Sequence, residues 1–208
     1  MANEAAQNSV RHLQGLYSMV VALALTIATT EFIDVGAGTI PVNLRLFPIF
    51  LSFLVILLPF YHGALRHLDI SYIEHGCRAE RKGALLGDFV FLFVEGCLFV
   101  TLALLIPKSN HFAWALLSLL TLDIIWGLLA HFAFSHEGNI KTQLKWAAIN
   151  SIAAMVLTIY LILACCLISP TQNASVAFGI GVFGICIIRT IADYALCWDF
   201  YYPGNHSE

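Results

Sequence analysis

Six runs of about 20 residues, each dominated by Leu, Ile, Val, Phe and Ala, follow one another with connections too short to fold on their own. A hydrocarbon layer about 30 Å thick takes about 20 apolar residues to cross as a helix. Backbone groups in lipid are satisfied only within helices or closed barrels, and the alternating pattern of barrel strands is absent. The sequence therefore predicts an all-α integral membrane protein with six transmembrane helices, at 16–35, 46–65, 84–106, 111–134, 146–168 and 174–197. Residues 1–15 form a polar N-terminal segment, 16–202 the six-helix domain and 203–208 a tail. Composition agrees, since 60% of residues are hydrophobic and 11% charged, where a soluble domain carries about 25% charged residues.

The basic residues set an expected orientation. Arg11, Arg66, Arg78, Arg81, Lys82, Lys141 and Lys145 fall on one side of this layout, against Arg45 and Lys108 on the other. The positive-inside rule then makes both termini cytoplasmic. Gly36, Gly38 and Pro41 predict a tight first turn, and short third and fifth connections pair helices 3 with 4 and 5 with 6. The basic second connection, 66–83, offers a surface for a cytosolic partner. The aromatic run Trp198 to Tyr202 reads as an interfacial belt that stops the last helix. A formal charge of −3 without a basic patch excludes a nucleic-acid partner.

Ionisable residues inside the spans carry the functional information, because a charge at mid-membrane costs about 2.5–3.5 kcal/mol on insertion scales. Helix 3 holds Asp88 and Glu95, helix 4 Asp123 and His131, helix 6 Arg189 and Asp193, each pair on one helical face. Counting along the spans puts Asp88, His131, Asn150, Arg189 and Asp193 level with His62 and Arg66, as one expected network. That network either locks the bundle, with Arg189 forked onto a carboxylate, or serves a transport path. Glu95 and Asp123, nearer the midplane with no evident cation, are either protonated or exposed to a wet path for protons or ions.

On helix 1, Ala22, Thr26, Thr29 and Thr30 make a small, hydroxylated stripe beside Leu23 and Ile27. Such a stripe serves close helix packing or a pore wall, with Leu23 as a hydrophobic constriction. His62 and His67, five apart, do not share a face, and neither Cys-x-x-Cys-His nor His-Glu-x-x-His occurs, so no metal or other cofactor is expected. Cys77, Cys97, Cys165, Cys166, Cys186 and Cys197 lie mostly in apolar stretches and read as small core residues. No nucleophile, base and orienting group stand at useful spacing, so no enzymatic activity is expected.

Arg11, followed by Leu16-Tyr17-Ser18 and the run Val21-Ala22-Leu23-Ala24-Leu25-Thr26, resembles the first helix of the endolysosomal potassium-channel family with six-helix modules and of its bacterial relatives. There an Arg precedes Phe-Ser-Asp and a run ending in Thr. Leu51 to Ile56, running on to His62 and Arg66, is similar to that family's second helix. The acidic member of the Phe-Ser-Asp motif is replaced by Ser18, and the family's Trp before the His is missing. The resemblance, confined to helices 1 and 2, implies a homo-oligomer, four-fold in the bacterial relatives, with helix 1 lining a central axis and Leu23, Thr26, Ile27 and Thr30 along it. It also implies a potassium or other monovalent-cation path in a bacterial inner (plasma) membrane. The expected function is thus an oligomeric channel for a monovalent cation or protons. The alternatives are a non-conducting effector acting through a cytosolic partner, or a small proton-coupled transporter using Glu95 and Asp123.

Overall fold

The computed structural model describes residues 2–33, 42–74, 83–133, 140–167 and 172–203. Six long helices follow in order: α1 (Ala2–Phe32), α2 (Phe47–Leu68), α3 (Ala84–Leu104), α4 (Ser109–Ala133), α5 (Ile140–Leu167) and α6 (Gln172–Leu196), with a short α7 (Trp198–Tyr201) after them. All six long helices contain a stretch that is, by length and composition, long and apolar enough to cross a membrane. Among the described residues the only β interaction is an isolated bridge between Ile33 and Val42.

Three boundaries differ by six residues or more from the sequence expectation, one of them the start of α5, at Ile140 instead of 146. The polar stretch before span 1 is helical from Ala2 and continuous with α1, with Val10 and Leu13 buried. At the end of α2 a π-helical turn, Asp69–Glu74, carries the helix past the expected stop, and Ile70 and Tyr72 anchor it by burial. The Gly36, Gly38 and Pro41 turn and the loop residues Arg78, Arg81 and Lys82 lie outside the described residues.

α1 packs on α3 and α2, α4 on α5 and α3, and α6 on α2 and α5. Close approach depends on small residues. A Cβ at Gly96 would lie 2.8 Å from Val20 Cγ1, so α3 meets α1 where only glycine fits. At Gly127 a Cβ would lie 3.2 Å from the Gln143 carbonyl oxygen, which draws α4 against α5. Pro59 interrupts the ladder of α2, since it has no N–H to give the carbonyl of Val55. Thr190 Oγ1 of α6 donates to that carbonyl instead, at 3.0 Å, and ties the two helices together.

Large apolar side chains point outward from all six helices: Leu23, Leu58, Phe93, Leu129, Ile159 and Ile188 are each more than half exposed. An apolar exterior all round suits lipid and not water. α1 buries Val10, Leu13, Tyr17, Val21, Ala24, Ala28 and Phe32, spaced three and four apart along one face.

Contacts sort the bundle into two ends. At the terminal end, Gln14 of α1 donates to Asp69 after α2 at 2.8 Å, Tyr72 donates to Asp88 near the start of α3, and Arg66 and Lys145 reach the end of α6 and α7. At the far end, Phe32 of α1 stacks on Phe50 of α2, and Phe99, Leu102, Ile106, Phe112, Leu116, Leu119 and Leu161 form a core of apolar side chains with 1% exposure or less.

Candidate functional site

Buried polar side chains concentrate in the terminal half. Rising about 1.5 Å per residue from the terminal end of each helix, Asp193 and Asp88 lie nearest that end, Arg189 deeper, and Glu95, Asp123 and Asn150 close to mid-bundle. Ser52 is the one fully polar buried side chain of the far half among the described residues, and its hydroxyl donates to the Pro48 carbonyl of its own helix at 2.7 Å. The described interior of the far half is therefore apolar.

Arg189, 5% exposed, is the hub. Its Nε donates to Asn150 Oδ1 at 2.8 Å, and the amide of Asn150 donates in turn to Asp123 Oδ2. Its Nη1 lies 2.9 Å from Asp193 Oδ2, an ionic contact out of line for a hydrogen bond. The guanidinium carbon stands 4.6 Å from the centre of the Phe60 ring, a cation–π contact in a desolvated place. Asp193 Oδ1 accepts from Trp146 Nε1 at 3.0 Å and from the Tyr201 hydroxyl at 3.2 Å. Each oxygen of Asp193 is thus engaged, as a buried carboxylate requires.

Two further acids sit on separate partners. Glu95 Oε1 accepts from the Tyr17 hydroxyl at 2.9 Å. Asp88 accepts from Tyr72 at 2.6 Å and faces His67 Nε2 at 3.7 Å.

These groups meet around a cavity of about 50 Å³, lined by Asp88, Glu95, Asp123, Asp193 and Arg189, with Tyr201 and Trp146 on the wall beside α7. Four carboxyl groups thus face a single guanidinium, and His67 is the other basic side chain of the lining. None of the described residues of α1 lines this cavity.

The single network expected from the sequence divides accordingly. Asp123, expected to lack a cation, reaches Arg189 through Asn150. His62 lies outside the cavity lining, with Nδ1 3.4 Å from the Tyr194 hydroxyl. Arg66 pairs with Glu74 and donates from Nε to the Phe200 carbonyl at 3.1 Å. His131 is off the lining as well, its Nδ1 buried with no hydrogen-bond partner.

The stripe on α1 faces away from the bundle. Leu23 is 53% exposed, Ala22, Thr26 and Thr30 are exposed, and Ile27 and Thr29 lie at the edge. The hydroxyls of Thr26, Thr29 and Thr30 donate to carbonyls of their own helix, at 2.8–2.9 Å, so they need no water. A path lined by these residues would have to run between copies of the chain.

The aromatic run after α6 is more than an interfacial belt. Phe200 and Tyr201 are 6% and 4% exposed, because α7 folds back against the bundle. Burial, and then the nearby Asp193, hold the Tyr201 phenol well above its ordinary range, so it remains a neutral donor. Tyr17, Tyr72, Trp146 and Tyr201 are the site residues that sequence reasoning passed over. Their signal is an apolar ring with a polar tip, which in a buried place has to find a partner.

Comparison of the chain with protein-family models, curated proteins and solved structures gives no match.

Proposed function

We propose that this protein is a membrane carrier for protons or a small monovalent cation, with Glu95 and Asp123 as its binding groups. The supporting observation is the excess of carboxyl groups over guanidinium around a cavity that reaches from the terminal end to mid-bundle. Ionisable groups placed there are costly and are retained where they handle charge, and carriers hold substrate near the midplane. A cavity of about 50 Å³ has room for about three to five waters, at about 10–15 Å³ each. That space suits a proton or a partly hydrated ion.

On this reading the chain crosses the membrane six times with both termini cytoplasmic, which the distribution of Lys and Arg supports. The cavity then belongs to the cytoplasmic half, and the apolar far half closes the other side. The resemblance of the first two helices to bacterial channels favours a bacterial inner membrane.

Purified protein in liposomes should take up protons or a monovalent cation saturably. Glu95→Gln and Asp123→Asn should each lower the rate by about ten-fold or more, as expected where one group in a transport step is worth about 1.4 kcal/mol. Wild-type rates in both variants would remove the carrier reading.

A second reading follows from the apolar far half, which leaves no continuous polar path through one chain among the described residues. A channel would have to run between copies, along the outward face of α1 with Leu23 at the constriction, as the potassium-channel resemblance implies. Non-saturating flux that Leu23→Ser increases would favour this arrangement.

A further inference from the structure

The geometry points to α7 as a strap that plugs the cavity and controls access to it from the terminal end. After α6 stops at Leu196 the chain turns back, so that the Tyr201 ring enters the bundle and its hydroxyl comes within reach of Asp193 Oδ1 and, at 3.4 Å, of the Pro59 carbonyl. The hydroxyl has one proton, which either acceptor can take. Pro59, Gly63, Trp146, Asp193 and Tyr201 are all cavity-lining residues, so the strap supplies part of the wall. Gly63 leaves room for it, since a Cβ there would lie 3.3 Å from the Tyr201 oxygen.

The outside of the strap is fastened mainly by residues that take no part in lining the cavity, with the lining residue Trp146 beside them. Arg66 donates to the Phe200 carbonyl while its guanidinium is held by Glu74. Lys145 Nζ donates to the Leu196 carbonyl at 2.8 Å, which caps the end of α6 where the strap begins. Phe200 rests edge-on against Trp146, with ring centres 4.7 Å apart, and Tyr201 lies 4.8 Å from His62 and 4.7 Å from Tyr194. A four-residue helix has little cooperativity of its own. Its position therefore depends on these few side chains. Lids of this kind come from the least stable part of a fold.

The regulatory meaning of the strap rests on the carrier reading, but access can be measured without transport. The test uses the full chain in nanodiscs, with its six cysteines replaced by alanine and Ala64→Cys introduced as a reporter on the cavity wall. The probe is a small cationic methanethiosulfonate, too large for the closed cavity. Tyr201→Phe removes only the hydroxyl, and Arg66→Gln removes the outer fastening. Each should speed modification of the reporter thiol by about five-fold or more, the change expected for loss of one hydrogen bond holding the closed state. Modification of both variants at the rate of the parent would overturn the strap.

Uptake into liposomes separates the two ideas. If modification accelerates while the parent carries no flux, the strap stands and the carrier reading fails. If modification is unchanged while uptake depends on Glu95, the strap fails and the carrier reading stands.

Discussion

Thr190 Oγ1 of α6 donates to the Val55 carbonyl, the one acceptor in α2 that Pro59 leaves without its helical partner. A proline in the middle of a crossing helix is thereby tolerated, because a neighbouring hydroxyl takes over the missing N–H. Thr190→Val should cost about 0.6–1.7 kcal/mol, the range of interhelical hydrogen bonds in membrane proteins. Pro59→Ala restores the N–H, so in that background the same change should cost almost nothing. A double-mutant cycle of unfolding in detergent measures the coupling, and additive losses would contradict it.

Arg189 is the group whose removal the bundle tolerates least. Arg189→Ala leaves Asp193 and the Asn150–Asp123 pair without their cation, and breaking a buried pair on one side costs about 3–5 kcal/mol. Pairing Arg189→Met with Asp193→Asn should recover part of that loss, because the uncompensated carboxylate goes with the cation. Detergent melting curves of the single and double variants decide the matter. Wild-type stability of Arg189→Ala would mean that the guanidinium reaches water.

At Gly96 the constraint is steric. The added methyl of Gly96→Ala would meet Val20 at 2.8 Å, and forcing atoms into a packed contact costs about 1–3 kcal/mol. Val20→Ala should rescue it in thermal stability, whereas an unrelated truncation on α1 such as Leu23→Ala should not, since Leu23 faces away from α3.

Cys197 stands between α6 and α7, where burial first and the Asp193 carboxylate second push its thiol up to about 12. The thiolate is the reactive form, and a raised value means that the folded chain keeps the thiol protonated as pH increases through the ordinary thiol range near 8.5. With Cys197 as the sole cysteine, maleimide labelling at pH 8 should be at least about a hundred-fold slower than for a thiol introduced at the exposed Trp198. Equal rates would show that Cys197 is neither buried nor shifted.

The number of long helices was legible in the sequence because lipid imposes a run of apolar residues on each crossing. Which face of each helix turns inward was not. In α1, Ala24 and Ala28 are buried whereas Ala22 and Leu23 point outward, and composition does not separate the two faces because packed core and lipid are equally apolar. The polar residues of the cavity could be picked out one at a time, by the cost of putting them in lipid. Their partners could not, since the route from Asp123 to Arg189 passes through Asn150 on a third helix and depends on how three helices are set in register. The burial of Phe200 and Tyr201 was hidden for a related reason: an aromatic run at a helix end looks the same whether it floats at an interface or turns back into the protein.

The apolar packing around Phe99, Phe112 and Leu119 has an electrical consequence on the carrier reading. Voltage falls across an insulator and hardly at all across water, so with α7 withdrawn and the cavity open to water much of the membrane potential would drop over this packed half instead of the full bilayer. An ion at Glu95 would then have much of the field still ahead of it, out of about 2.3 kcal/mol per charge at 100 mV, and transport should steepen with voltage at this one step.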